Sequence, residues 1–446
     1  MKKKLLVLAC GDEISSGQKK DLPSIISASS LLSHRLEVLM KLRPERIGLL
    51  VAEPGESGKL RKNRLKLLPA GVLASTLSAL MEMLKKKRAA GDLILLSPEF
   101  FPKEAGLIKK VLTFHQKSGH DLTLIGERVD PDRDQLLEDY FVRPGLALIS
   151  FDGNRRWQSR VRPFKPSGQL DVVALVEAAW EAGLRIGFYW LKEAERDSFI
   201  PVNSLADYSR VAEYLRQAKI AELERRGVFF LDPGSAWIDS RAKVGSGTII
   251  YPSVVIEGRS RVGKNCLIYP YCHIMDSRLG NGVKVFGATV IEGCRIEHDV
   301  QVGPFSRLRP ETRLRRGSRV GNFVEMKKTV FGEGSKAMHL SYLGDTRVEG
   351  KVNVGAGTIT CNYDGFKKNR TFIGREAFIG SGTELVAPVR VGRGAYVAAG
   401  STITENVKPE ALAIARARQV QKPGWVRNRK AKVQTAGKRA PGKKGK

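Results

Sequence analysis

Two clusters of polar residues stand out in the C-terminal half of the chain. One runs from Glu325-Met326-Lys327-Lys328 to His339-Leu340-Ser341-Tyr342, the other is Thr360-Cys361-Asn362-Tyr363-Asp364-Gly365. These residue types handle protons and phosphates: histidine titrates near neutrality and can take a proton, arginine offers a planar fork, and lysine a point charge. A histidine standing alone is more often a hydrogen-bonded structural residue than a base, so the cluster around it has to carry the argument. Metal chemistry finds no support. The six histidines (His34, His115, His120, His273, His298, His339) form no closely spaced set, and the five cysteines (Cys10, Cys266, Cys272, Cys294, Cys361) include no Cys-x-x-Cys pair. No metal site is expected, and the cysteine usage fits a reducing cytoplasm.

The clusters sit in a segment that repeats every six residues. Aliphatic side chains fall at Val244, Ile250, Ile256, Val262, Ile268 and Ile274, and again at Ile373, Ile379, Leu385, Val391, Val397 and Ile403. Small residues follow many members of the repeat, as at Val262-Gly263, Val302-Gly303 and Val391-Gly392. This pattern is the signature of a parallel β-helix, and hexapeptides of this type make the left-handed one, an exception to the usual handedness of crossovers. Each hexapeptide forms one face of a triangular coil, with its aliphatic side chain pointing inward. The phase breaks between Ile274 and Val285, between Met326 and Val348, and between Val354 and Ile373. At each break the chain is expected to leave the coil as a loop or bulge, and two of the breaks hold the polar clusters.

The first half reads as an open, doubly wound α/β domain. Apolar runs at Leu5–Ala9, Ile47–Ala52, Leu93–Leu96, Leu122–Ile125, Leu146–Phe151 and Ile186–Trp190 alternate with longer amphipathic stretches. Helical spacing of Leu205, Tyr208, Val211, Tyr214, Leu215 and Ala218 predicts a helix from Ser204 to Arg226, ended by Gly227. The expected domains are 1–203, 204–227 as a linker helix, 228–416 as the β-helix, and 417–446 as a basic tail. Glycine usage marks the same division, with 16 before Leu231 and 29 after it among the 45 in the 446 residues.

The net charge is +30, which makes phosphate-bearing partners plausible. From Arg418 to Lys446 there are eleven Lys or Arg and no acid. Such a run is most often a solvated disordered tail, and nucleic acid is not the expected partner. Met1-Lys2-Lys3-Lys4 before Leu5–Ala9 and Cys10 imitates a signal peptide, but its apolar run of about five residues is short of the 7–15 required. It is expected to be a first strand. No stretch approaches the ~20 apolar residues of a membrane span.

Longer strings carry a specific resemblance. Arg307-Leu308-Arg309-Pro310, Gly321-Asn322-Phe323-Val324-Glu325-Met326-Lys327-Lys328, His339 to Asp345, and Asn353 through Gly365 resemble the bacterial bifunctional N-acetylglucosamine-1-phosphate uridylyltransferase/glucosamine-1-phosphate N-acetyltransferase family, over about Gly227 to Trp425. The resemblance implies a homotrimeric left-handed β-helix that moves acetyl from acetyl-CoA to the amine of glucosamine 1-phosphate, in UDP-N-acetylglucosamine and cell-envelope biosynthesis. It makes His339 the catalytic base, with Glu325 as the orienter of its ring. It gives Arg309 and Lys327 to the phosphate, Tyr342, Asn353 and Lys368 to the rest of the sugar site, and Ala356, Asn362, Tyr363, Ser381, Ala399 and Arg416 to acetyl-CoA. By spacing alone, several of these could equally be coil-capping or corner-filling residues.

The first half resembles the family's uridylyltransferase domain only in part. Leu8-Ala9-Cys10-Gly11 keeps the end of a strand and Asp21-Leu22-Pro23 a later turn. Between them Asp12-Glu13-Ile14-Ser15-Ser16 stands where the family has a Gly-Thr-Arg element, Ser24 replaces a lysine, and Ser97-Pro98 replaces the Gly-Asp that binds magnesium; Asn203 matches the second metal ligand. The expected function is therefore glucosamine-1-phosphate N-acetyltransfer in the cytoplasm with an inactive nucleotidyltransferase-like domain. Magnesium enters only if that domain is active. The alternatives are the full bifunctional enzyme and, from another class, a non-catalytic β-helix scaffold that binds polyanions through its tail.

Overall fold

The structure, a computed structural model, describes residues 4–10, 46–51, 72–74, 91–96, 100–128, 140–151, 172–202 and 204–438, together with His34, Val38, Leu39, Lys41 and Leu42. The chain divides into two compact units, residues 1–265 with 273–276, and 266–272 with 277–446.

In the first unit all six apolar runs become strands: β1 (Lys4–Cys10), β2 (Arg46–Val51), β4 (Gly91–Leu96), β6 (Leu122–Arg128), β7 (Tyr140–Phe151) and β8 (Ile186–Trp190). With β3 (Val72–Ala74) they form one sheet in the order β3-β2-β1-β4-β7-β6-β8. The run after the N-terminal lysines is thus strand β1, paired in parallel with β2 and β4. The sheet is mixed, because β7 runs antiparallel to both β4 and β6. Two further short strands, β5 (Phe100–Pro102) and β9 (Phe199–Pro201), pair antiparallel.

The helix Ala105–Ser118 puts Leu107, Ile108, Val111 and Leu112 into a core with Ile94, Ile125 and Leu148. The helix predicted from Ser204 spans Leu205–Arg225, and Ser204 caps it. The Ser204 hydroxyl accepts from the Asp207 N–H, and the Asp207 carboxylate accepts from the Ser204 N–H at 3.0 Å. Its apolar stripe places Val211 and Leu215 against Phe101, Ile200 and Val202. The aliphatic column Val244, Ile250, Ile256, Val262 and Ile274, which belongs to this unit, is buried as the period requires.

The second unit is a parallel β-solenoid with three faces. The first face carries Gln301–Val302, the start of Arg319–Lys327, the start of Lys336–Gly344, Asn353–Val354, Phe378–Ile379 and Tyr396–Val397. The second carries Val290–Glu292, Arg307–Leu308, the ends of those two long strands, Ile359–Cys361, Glu384–Val386 and Thr402–Ile403. The third carries Arg278–Leu279, Arg295–Ile296, Arg313–Leu314, Val330–Phe331, Thr346–Val348, Thr371–Ile373 and Val389–Val391. Inward positions Ile373, Ile379, Leu385, Val391, Val397 and Ile403 are all buried.

The phase breaks turn out to be of two kinds. Arg307 lies opposite Glu325, one coil of eighteen residues, whereas Lys336 lies opposite Asn353, a coil of seventeen. The buried column steps from Ile274 to Leu279 and from Met326 to Phe331, five residues each, so these coils have one corner shortened by a residue. No loop is ejected there, contrary to expectation. Only the third break is a true insertion: Asn353 lies opposite Phe378, twenty-five residues on, and the excess forms the loop after Cys361. The basic tail contains the helix Trp425–Lys438, exposed through its described side chains. No helix among the described residues is long and apolar enough to cross a membrane.

Candidate functional site

The two nine-residue strands Arg319–Lys327 and Lys336–Gly344 form the centre of the site. Each bends from the first face to the second, at Phe323 (φ 56°) and Leu340 (φ 28°). They pair in register, so Asn322 lies opposite His339, Glu325 opposite Tyr342, and Lys327 opposite Gly344. That register decides the partner of the histidine. The His339 ring shares a 3.0 Å hydrogen bond with the Asn322 amide oxygen through Nδ1. An amide oxygen can only accept, so Nδ1 is the donor in this bond, which leaves Nε2 as the nitrogen with the lone pair in the neutral ring. Glu325, expected to orient this ring, instead accepts from Arg309 Nη1 at 2.9 Å. It sits three residues further along its strand and lies opposite Tyr342, so the ring is bonded by Asn322 and not by Glu325. Spacing alone missed Asn322, although the seventeen-residue coil offset from His339 would have found it.

Arg309, Lys327, Asn362 and the inserted loop meet along the edge between the second and third faces. Glu325 stabilises the Arg309 guanidinium and raises its pKa. Lys368, in hydrogen-bond reach of Lys327, holds the Lys327 ammonium below the ordinary lysine range, and the charges of Arg309 and Lys328 act in the same direction. Crowded cations of this kind favour an anion between them.

Lys368 is positioned by its loop. Asp364 accepts from the backbone N–H groups of Lys367 at 2.7 Å and Phe366 at 2.9 Å and from the Asn369 side chain at 2.8 Å. These bonds, the Lys367 N–H first, pull its carboxyl down to about 2. The backbone N–H of Asn369 returns to the Asn362 carbonyl at 2.7 Å, which closes the loop. Buried Asn362 in turn donates to Asp345 at 2.6 Å. Gly344 leaves room for both: a Cβ there would lie 2.5 Å from the Tyr342 hydroxyl and 2.7 Å from the Asn362 amide nitrogen and would displace them. Tyr363 stands exposed, its hydroxyl donating to Gly365 O at 2.6 Å.

Ala356, Ser381 and Ala399 line the other edge, between the first and second faces. Successive corners there are stapled by backbone bonds, Gly357 N–H to Leu340 O at 2.6 Å, Gly382 N–H to Ala356 O at 2.7 Å and Gly400 N–H to Ser381 O at 2.8 Å. Arg416 passes the same edge, its Cδ 3.8 Å from where a Gly400 Cβ would be. The wall is tight, since a Cβ on Gly355 would sit 2.6 Å from the Ser381 nitrogen. Asn353 lies apart, on the first face in register with Lys336 and Phe378. The predicted residues therefore fall into two groups. Arg309, Lys327, Tyr342, Asn362 and Lys368 gather at one edge, and Ala356, Ser381, Ala399 and Arg416 at the other, the edge of the Leu340 bend that follows His339. Asp12, Glu13, Ser24, Ser97, Pro98 and Asn203 lie outside the described residues. Among the described residues there is no group of three or more His, Cys, Asp or Glu able to hold a metal ion.

No family model matches the chain. A bifunctional protein GlmU from Thermodesulfovibrio yellowstonii is 34% identical over 455 residues, covering 96% of this chain and 99% of that protein. The chain belongs to the bifunctional GlmU family. With that membership, the architecture is a Rossmann-like domain followed by a left-handed parallel β-helix. The GlmU of Thermotoga maritima is 53% identical over 225 residues, and the chain spans 50% of its length in that match. The GlmU of Fervidobacterium nodosum is 46% identical over 263 residues, 56% of this chain and 58% of that one. Among solved structures, a Francisella novicida UDP-N-acetylglucosamine acyltransferase aligns at 17% identity over 41% of this chain and 66% of that one, with a TM-score of 0.25, too low to bear on the fold.

Proposed function

We propose that the solenoid transfers acetyl from acetyl-CoA to the amine of glucosamine 1-phosphate. The observation that carries this is that the two paired strands place His339 at one edge of the second face and Lys327 at the other, where Arg309 and Lys368 join it in a cluster of three cations. The cations hold the sugar phosphate, with Tyr342 and Asn362 beside them. Nε2 of His339 removes a proton from the sugar ammonium, and the nitrogen lone pair attacks the thioester carbonyl. The C–N bond forms, the C–S bond breaks, and the second proton lost from the nitrogen goes to the departing thiolate, giving the amide and free thiol. Mixing the protein with acetyl-CoA and glucosamine 1-phosphate should release thiol in proportion to N-acetylated product. Absence of thiol release would leave the non-catalytic scaffold as the better reading.

Of the residues that the resemblance gives to acetyl-CoA, Ala356, Ser381, Ala399 and Arg416 lie on the edge opposite the phosphate cations, Asn362 and Tyr363 lie with the cations, and Asn353 lies on a third location. This division supports a site completed by a neighbouring copy, in a homotrimer where the cation edge of one chain meets the Ala356–Arg416 edge of the next. Light scattering should return three times the chain mass, and a monomeric mass would count against the shared site.

The N-terminal domain is proposed not to transfer uridylyl groups. Asp12 and Glu13 would repel a triphosphate, and Ser97-Pro98 offers no carboxylate where the resemblance places a magnesium ligand. UTP and N-acetylglucosamine 1-phosphate with magnesium should yield no pyrophosphate. Release at a rate comparable to acetylation would restore the full bifunctional reading.

A further inference from the structure

The outward column of the third face holds more arginines than either of the other two. Read coil by coil in register it is Arg278, Arg295, Arg313, Val330, Arg347, Phe372 and Arg390. All five arginines are exposed. Among the described residues no ion pair is formed by any of them, whereas nearby Arg315 and Arg316 pair with Glu297 and Asp299. Like charges opposite one another across strands destabilise a sheet, and opposite charges stabilise it. The second face sets Arg307 beside Glu325 and carries Glu384 further along, whereas the third-face column holds no acid.

Two hollows open along this column. One of about 870 Å³ is lined by Lys328, Arg347, Arg370, Phe372 and Arg390, and its acids Glu311 and Asp345 already engage Lys328 and Asn362. The other, about 510 Å³, is lined by Arg313, Arg315, Arg347 and Arg375, where Glu349 accepts from the Arg375 backbone N–H. The Arg390 guanidinium stacks over the Phe372 ring at 4.5 Å, so one cation is fixed in place.

We propose that the third face binds single-stranded nucleic acid along its phosphate backbone, without regard to sequence. The column spans six coil steps of about 4.8 Å, about 29 Å in all, a line of charge suited to a chain of phosphates. A lipid surface would call for exposed large apolar side chains to insert beside the cations, and Val330 and Phe372 are only half exposed. The column is hidden in the sequence because its spacing is irregular, seventeen, eighteen or twenty-five residues from one member to the next.

The test uses the full chain, so that the basic tail is the same in every protein compared. Anisotropy of a labelled 20-nucleotide deoxythymidine oligomer is followed against salt for the wild type and for the fivefold variant R278Q/R295Q/R313Q/R347Q/R390Q. The variant should bind at least tenfold more weakly near 0.1 M salt, and its log K against log salt slope should be shallower by about 3.5, from ~0.7 per phosphate contact. Acetyl transfer is expected to persist and reports folding; if the fivefold variant does not fold, R313Q/R347Q should still reduce the slope by about 1.4. Equal affinity and slope in wild type and variant would overturn the proposal and assign binding to the tail. So would wild type that ignores the oligomer at 50 mM salt, or that binds only vesicles of anionic phospholipid or an anionic glycan.

Discussion

The second and third faces of the solenoid grow from the same coils and share one interior, yet they point different columns at solvent. Tyr342 follows Glu325 on the second face, while Arg347 follows Val330 on the third. Beneath both, Met326, Leu343, Phe331 and Val348 are buried to 1% exposure or less. The inward column holds the coil and the outward column is free to carry chemistry, so mutations should separate cleanly into those that cost stability and those that cost function.

The sharpest separation is expected at His339. His339→Ala removes an exposed side chain from a bend, so the fold should persist while acetyl transfer falls by about 10²–10⁴-fold, the usual cost of losing a general base. Turnover measured across pH 6–9 checks this, and near wild-type rates throughout would mean the base lies elsewhere. Leu343→Ala attacks the shared interior instead. It should cost about 2–5 kcal/mol through lost burial and a residual cavity, visible as a lower melting temperature. Arg347→Gln, four residues on and outward, should stay within about 0.5 kcal/mol. If Arg347→Gln destabilised as much as Leu343→Ala, the division between columns would be wrong.

The inward columns were readable from sequence because aliphatic side chains recur at a fixed spacing, and every position named at the start, from Val244 to Ile403, is buried. The short corners were not, because one missing residue and one ejected loop break a six-residue count in the same way. Only the buried Leu279 and Phe331 between the breaks show that the coil continues. The strands of the first unit were legible from apolar runs, but β3, β5 and β9 are three residues long, below what periodicity detects. The antiparallel direction of β7 was equally hidden, since a buried run reads alike in both directions. At the site, the residue types could be read and the contacts could not. Whether Glu325 or Asn322 meets His339 depends on which residue lies one coil away, and that is fixed by a corner one residue short.

Asn322 offers a smaller effect that tests this register. Asn322→Ala removes the acceptor that keeps the hydrogen on Nδ1, and one hydrogen bond of about 1 kcal/mol corresponds to roughly a fivefold fall in kcat. The Michaelis constant for the sugar phosphate should hardly change, because the cations are at the other edge. Glu325→Gln should do the reverse and act through Arg309, chiefly on that constant. An exchange of these two phenotypes would return the orienting role to Glu325.

The finest test concerns the charge of Lys327. Its ammonium is held below the ordinary lysine range first by Lys368 and then by Arg309. Lys368→Ala removes the largest of these influences, so the pKa of Lys327 should rise toward its ordinary value, as followed by NMR of its ε-carbon. The same substitution takes one cation from the phosphate, so substrate should bind less tightly even as Lys327 becomes easier to protonate. Binding of the sugar phosphate to the wild-type protein should also raise the Lys327 pKa, since the incoming anion offsets the repulsion that lowered it. Above the pKa of the free protein, binding should then take up protons from the buffer, and affinity should weaken as pH rises through that range. A Lys327 pKa unmoved by both Lys368→Ala and phosphate binding would mean that the loop carrying Lys368 does not face the site. The second face would then lose a cation on which its contrast with the third depends.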